Sequence, residues 1–196
     1  MTRMLSKSIG FTLIELMVTV AIATILMLVA IPSLTTFRRN AELTSATNTL
    51  VASINAARGE AMKRGVSAMV VPTNNGTAWT AGWVVFADLN SDRSYNAATD
   101  PLVSTQAPLS SNLSVVASDG SVAAGPAPLP AIIFDASGYS KDRVGGFGSF
   151  TLSVSRVDAA SDFSQVRRII VASTGRLRVC TPKSDTDVAC SKNATF

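Results

Sequence analysis

Basic side chains cluster near the C-terminus of the chain, where they could bind an anion. Residues 163–184 contain Arg167, Arg168, Arg176, Arg178 and Lys183 and no acidic residue. On a β-strand, Arg176 and Arg178 would share one face, about 6–7 Å apart. Neighbouring phosphates on a nucleic-acid strand have a comparable spacing, and arginine binds phosphate bidentately. The pattern indicates phosphate binding; the alternative is that these arginines only keep an exposed sheet edge soluble.

A single acidic residue interrupts the apolar segment near the N-terminus. Glu15 is the only charged residue between Phe11 and Ile31. As a helix this run is about 30 Å long, enough to span a bilayer and longer than the apolar region of a signal peptide. Ionisable groups at membrane depth are costly and usually functional. The segment is therefore predicted to span a membrane, and a generic membrane anchor would not explain Glu15.

The two cysteines lie close together near the C-terminus. A bond between Cys180 and Cys190 would close a small loop, and chain-entropy models give such a loop about 2–3 kcal/mol of stabilisation. Two cysteines without a histidine fall short of the four ligands of a zinc site. We predict a disulfide; the alternative is two free thiols.

The sequence gives little support for catalysis or for a metal. Asp88-x-Asn90-x-Asp92 resembles the opening of a calcium loop, but Arg93 replaces the required glycine and Thr99 stands where a bidentate glutamate belongs. The chain has no histidine, and no nucleophile elbow or phosphate loop occurs in it. We therefore expect neither an enzyme, nor a cofactor, nor a bound metal.

One long helix followed by short strands must position these residues. From Phe37 to Arg64 apolar residues recur at helical spacing, and Gly65 is a natural C-cap. Pro32 is expected to bend or locally unwind this helix. Beyond Gly65, short β-like runs alternate with turn residues. The predicted strands are 66–71, 82–87, 113–117, 131–134, 149–155, 166–173 and 176–181.

The segment Gly10-Phe11-Thr12-Leu13-Ile14-Glu15-Leu16 resembles the class III signal and N-methylation motif of type IV pilins and pseudopilins. The blocks 82–90, 133–138 and 169–178 resemble the GspH/FimT family of minor pilins and minor pseudopilins within that superfamily. The resemblance implies an α+β, type IV pilin-like fold, in which a long N-terminal helix packs on a C-terminal all-β domain of two small antiparallel sheets. It divides the chain into a cleaved leader (1–10), a transmembrane and assembly helix (11–31), an amphipathic helix (32–65) and the β domain (66–196).

The resemblance also implies a processing and assembly pathway. A prepilin peptidase would cut between Gly10 and Phe11, and the new N-terminal Phe11 would be methylated. The Glu15 carboxylate would then meet the N-terminal amine of a neighbouring pilin or pseudopilin. The expected location is the inner membrane, crossed once with the C-terminal domain in the periplasm, and then the pilus or cell surface.

In FimT-like minor pilins of naturally competent bacteria, a Gly-Arg-x-Arg motif is associated with DNA binding during uptake, and Gly175-Arg176-Leu177-Arg178 fits it. The resemblance thus implies a minor pilin, part of a pilus or its tip complex, that binds DNA without sequence specificity. The alternative is a structural minor pseudopilin of a type II secretion system with no DNA role. The candidate DNA-binding residues are Gly175, Arg176, Arg178, Arg167, Arg168 and Lys183.

Overall fold

The computed structural model describes residues 10–73, 78–119, 131–159 and 161–191, apart from the side chains of residues 29, 32 and 119. Residues 1–9, nearly all of the predicted leader, lie outside the described residues. The chain forms two compact units, Met1–Ala41 and Glu42–Phe196.

Helix α1 runs from Leu13 to Arg64. Its backbone is helical through position 32, so the local unwinding predicted at Pro32 is absent. Apolar side chains in its first half, such as Leu16 and Leu26, are exposed. Among the described residues, α1 is the one helix long and apolar enough to cross a membrane. The helix ends at Gly65, whose positive φ of 70° suits a glycine C-cap.

Short strands follow the helix and form two antiparallel sheets. Sheet I has the order β3-β2-β1-β5-β6, and sheet II has the order β4-β7-β8-β9. The strands are β1 (Ser67–Pro72), β2 (Trp83–Asp88), β3 (Leu102–Gln106), β4 (Leu113–Asp119), β5 (Ile132–Phe134), β6 (Ser140–Lys141), β7 (Phe150–Arg156), β8 (Val166–Val171) and β9 (Leu177–Cys180). Seven of them overlap the predicted runs, whereas β3 and β6 were not predicted. Both are edge strands of sheet I, where a strand needs little apolar alternation.

One hydrophobic core joins the second half of α1 to both sheets. The helix contributes Leu43, Leu50 and Ile54, all fully buried, at helical spacing. Trp83 of β2 packs in the same core, and its indole Nε1 donates a 2.8 Å hydrogen bond to the Ser53 hydroxyl on the helix. The predicted architecture, a long helix packed on two small antiparallel sheets, is confirmed.

A polar cluster fastens the helix to sheet II. Arg156, at the end of β7, is buried and donates to Glu42 on α1 (2.8 Å) and to Asp158 (2.9 Å). Hydrogen bonds from the Ser110 hydroxyl and then from Arg156, together with the charge of Arg156, lower the pKa of Glu42. The cluster therefore links the helix, the loop before β4 and the end of β7.

The outer face of sheet I carries a second, smaller apolar cluster. Met69, Phe86 and Ile133 are buried there. Tyr95, from the segment between β2 and β3, packs on Phe86 with ring centroids 5.2 Å apart. This segment therefore folds over the outer face of the sheet.

Candidate functional site

Glu15 folds back on the start of helix α1. Its Oε2 accepts hydrogen bonds from the Thr12 backbone N–H (2.9 Å) and from the Thr12 hydroxyl (2.8 Å). The Glu15 N–H in turn donates to the Thr12 hydroxyl oxygen (3.3 Å). Thr12 precedes the first helical residue, so the pair forms a capping box. The Thr-x-x-Glu spacing was visible in the sequence, but our sequence reasoning considered only a partner on another subunit.

The turn between β8 and β9 is built around Gly175. Gly175 has a positive φ of 77°, which favours glycine. The turn is closed by hydrogen bonds from the Gly175 N–H to the Ala172 carbonyl (2.8 Å) and from the Ala172 N–H to the Arg176 carbonyl (2.9 Å). This turn brings Arg176 to the start of β9.

Gly175 is also held against sheet I. A Cβ on Gly175 would lie 2.0 Å from the Gly138 carbonyl oxygen, which itself accepts a 3.0 Å hydrogen bond from Arg58 Nε of α1. Nearby, the Ser140 N–H donates to the Ser173 carbonyl (2.9 Å). Gly175 therefore serves the junction of helix and sheets. Sequence reasoning missed Arg58, because only the fold brings it to this turn.

Arg176 and Arg178 meet at one cleft on the outer face of sheet II. Between them, Leu177 packs against the core, so the two arginines lie on the opposite face. They line a cleft of about 340 Å³ together with Ile170, Ala172, Ser173 and Thr174. Arg176 is exposed and Arg178 is half-buried. The structure thus brings together the two arginines that the sequence singled out.

Arg168 does not belong to an exposed basic surface. It is only 1% exposed, and its Nη1 donates to the Cys190 carbonyl. Its Nη2 lies 3.9 Å from the Asp185 carboxylate. Burial lowers the pKa of the Arg168 guanidinium. The prediction that Arg168 contacts DNA is therefore wrong, because the segment after β9 covers its side chain.

Arg167 points away from the cleft. It pairs in register with Val154, a fully buried core residue, and so lies on the face of sheet II opposite Arg178. Its Nη1 donates to the backbone carbonyls of Ser164 (2.7 Å) and Val166 (2.9 Å). The structure therefore separates Arg167 from the other candidates.

The predicted disulfide is confirmed. Cys180 at the end of β9 bonds to Cys190, with their Cα atoms 5.9 Å apart. The bond holds the segment after β9 near the Arg168 side chain. Lys183 in this segment is exposed, but its backbone N–H donates to Asp187 (2.9 Å), so acidic residues share the segment.

Within the described ranges, no three histidine, cysteine, aspartate or glutamate side chains come together to hold a metal ion.

The chain matches the family model described as type II transport protein GspH over residues 46–175. It matches the model described as the prokaryotic N-terminal methylation motif over residues 5–31. No curated protein matches the sequence.

Solved structures share the fold. The type IV minor pilin FimU of Pseudomonas aeruginosa is 18% identical, covers 76% of this chain and 98% of its own, and gives a TM-score of 0.55. The minor pseudopilin EpsH of the Vibrio cholerae Type 2 Secretion System is 17% identical, covers 73% of this chain and 99% of its own, and gives a TM-score of 0.50. At these identities the similarity shows the fold alone.

Proposed function

The chain belongs to the GspH family of the type IV pilin superfamily, and we propose that it is a minor pilin that binds DNA through its C-terminal hairpin. The family consists of structural pilins and pseudopilins, which assemble with other pilins in a pilus or pseudopilus. DNA binding is a more specific proposal than membership of the family. We base it on the cleft that carries Arg176 and Arg178.

The convergence of Arg176 and Arg178 on one cleft carries the proposal. Two guanidinium groups on the same face can contact successive phosphates of one strand, and phosphate contacts need no particular base sequence. The exposed Lys183 is a third candidate contact. The proposal does not include Arg167, which lies on the opposite face of the sheet, or Arg168, which is buried. A surface with only two or three cations implies weak binding, with a slope of log K against log salt of only about −2 to −3.

The second candidate function is a structural minor pseudopilin of a type II secretion system, with no DNA role. The burial of Arg168 and the acidic residues next to Lys183 favour it, since both reduce the basic surface. The GspH match ends at Gly175, immediately before the two arginines, so the matched region itself does not include them.

A binding titration separates the two functions. The full-length chain in detergent is titrated with fluorescent duplex DNA, by anisotropy, over a range of salt concentrations. Replacing Arg176 and Arg178 by alanine should weaken binding and lower the slope of log K against log salt by about 2, since each phosphate contact contributes about 0.9. The control replaces Arg38 and Arg39, two exposed arginines of α1, and changes the net charge equally.

Two results would contradict the DNA proposal. Wild-type protein that does not bind DNA at low salt would favour the pseudopilin function. Equal losses in the control and in the Arg176/Arg178 variant would mean that overall charge, and not the cleft, attracts DNA.

For assembly, we propose processing between Gly10 and Phe11 and a role for Glu15 opposite the amine of a neighbouring subunit in the filament. The methylation-motif match over residues 5–31 supports this proposal. We further propose insertion in the inner membrane with the C-terminal domain in the periplasm. Glu15→Ala should leave the β domain folded and prevent incorporation into filaments. Immunoblotting of sheared filaments measures the incorporation of the variant. Normal incorporation of the variant would refute the proposed role of Glu15.

A further inference from the structure

Two buried carboxylates lie at the base of the segment between β2 and β3. Asp88, the last residue of β2, is 1% exposed, and Asp100, just before β3, is 4% exposed. The Leu89 N–H, next to Asp88 in the chain, donates to Asp100 Oδ1 (3.4 Å), so the two acids lie at the same end of the hairpin. None of the ion pairs found in the described part of the chain includes either residue. Burying an ionised carboxylate without a cation is costly.

Hydrogen bonds satisfy these carboxylates incompletely. Asp88 Oδ2 accepts from the Arg93 N–H (3.1 Å), and Asp100 Oδ2 accepts from the Asn96 N–H (2.8 Å). Asp88 Oδ1 is buried and finds no hydrogen-bond partner among the described residues. A buried carboxylate oxygen without a donor is a ready ligand for a cation.

The arginine of this segment does not supply that cation. The guanidinium Nη2 of Arg93 lies 3.2 Å from the position that a Cβ on Gly145 would occupy, in the turn after β6. Burial, and then the charge of Arg93, lower the pKa of Arg143 in the same turn. The charge of Arg93 is therefore directed towards Arg143 rather than forming an ion pair with Asp88 or Asp100.

We propose that the segment Asp88–Asp100 binds Ca²⁺, with the Asp88 and Asp100 carboxylates as its charged ligands. Calcium takes six to eight oxygen ligands in flexible geometry, so neutral oxygens of the segment and water can complete the site. Since no three acidic side chains converge in the described ranges, the site has two charged ligands. Affinity rises with the number of charged ligands, so a dissociation constant of about 10⁻⁴–10⁻³ M is expected.

The structure removes one of the two objections that the sequence raised against a calcium loop, and the proposed site differs from such a loop in the other. Arg93 stands where such loops carry glycine, yet it adopts the left-handed conformation itself, with a φ of 60°. Thr99 is not an acid, but the next residue, Asp100, is the buried one. In the proposed site, the acid that ends the segment therefore stands one residue later than the glutamate of such a loop.

The melting temperature of the full-length chain in detergent tests the site. The protein is first treated with a chelator, and its unfolding is then followed by tryptophan fluorescence with and without added calcium. Calcium at 100 times its dissociation constant should raise the melting temperature by about 5–10 °C. Magnesium at the same concentration should have a much smaller effect, since it prefers octahedral sites with several retained waters.

Single substitutions separate ion binding from a purely structural role. Asp88→Asn and Asp100→Asn should abolish the calcium response. Asp88→Asn should also raise the melting temperature without calcium, because it keeps an acceptor for the Arg93 N–H and removes an uncompensated buried charge. Asp162→Asn, the same change at an exposed helix cap, should keep the calcium response.

Three outcomes would overturn the proposal: no calcium response in the wild type, a full response in Asp88→Asn, or equal responses to calcium and magnesium. Each readout is independent of DNA. Failure of the DNA proposal would therefore leave this one untouched.

Discussion

Replacing Gly175 by alanine should destabilise the C-terminal domain severely. The new Cβ would lie 2.0 Å from the Gly138 carbonyl oxygen and 2.9 Å from Arg58 Nε. The first of these atoms is backbone, so the turn or its neighbour must shift. The hydrogen bond between Arg58 and Gly138 would be lost with that shift.

The expected destabilisation is the sum of two terms. A non-glycine residue at positive φ costs about 1–2 kcal/mol. Losing a hydrogen bond to a charged donor costs about 1.5–3 kcal/mol. Gly175→Ala should therefore cost about 2.5–5 kcal/mol, which lowers the melting temperature of a chain of this size by roughly 5–20 °C.

Two other glycines make matched controls. Gly65 has a positive φ of 70° and nothing near its Cβ position, so Gly65→Ala should cost only the conformational term, about 1–2 kcal/mol. Gly59 lies inside α1 with open space around it, so Gly59→Ala should stabilise by about 0.5–1 kcal/mol.

Denaturation of the full-length chain in detergent, followed by the fluorescence of the buried Trp79 and Trp83, measures all three variants. The order of stability should be Gly59→Ala, wild type, Gly65→Ala and then Gly175→Ala. Equal losses for Gly65→Ala and Gly175→Ala would refute the contact between the β8–β9 turn and Gly138, since only the conformational term would remain.

Two further predictions concern pH and redox state. Hydrogen bonds from Ser110 and then Arg156 lower the pKa of Glu42 in the folded state below its ordinary value of 4.5. The ionised Glu42 therefore stabilises the folded state fully above that value, and this contribution is lost as the pH falls through the folded pKa. Urea titrations of wild type and Glu42→Gln should therefore differ in stability at pH 6 and converge under acid conditions. Replacing Cys180 and Cys190 by serine should lower the free energy of unfolding by about 2–3 kcal/mol in the same assay. A reductant should produce the same loss in the wild type.

Much of the fold could be predicted from the sequence because its periodicities are strong. The helical spacing of apolar residues between Phe37 and Arg64 predicted the amphipathic part of α1, and three of those residues, Leu43, Leu50 and Ile54, are fully buried. The strand β6, of two residues, carries too little pattern to detect. It exists because it pairs with β5, and that pairing depends on the tertiary fold.

The candidate site was predicted only in part. Arg176 and Arg178 could be placed on one face because strand alternation is a local rule. The burial of Arg168 could not be predicted, because it depends on where the disulfide directs the chain after Cys180. Gly175 fits a DNA-associated motif, yet its contact with Gly138 explains the residue without any ligand.

The capping box at the start of α1 bears on how a subunit could enter and leave a filament. In a subunit processed as proposed, Thr12 would be the second residue of the mature chain, and its backbone N–H already occupies the Glu15 carboxylate. Both Thr12 donors bond to Oε2, so the amine of a neighbouring subunit could pair with Oε1 while the capping box stays closed. A closed box would hold the carboxylate in one orientation for the incoming charge, so the Glu15 contact would fix alignment while the exposed apolar side chains of the helix provide adhesion.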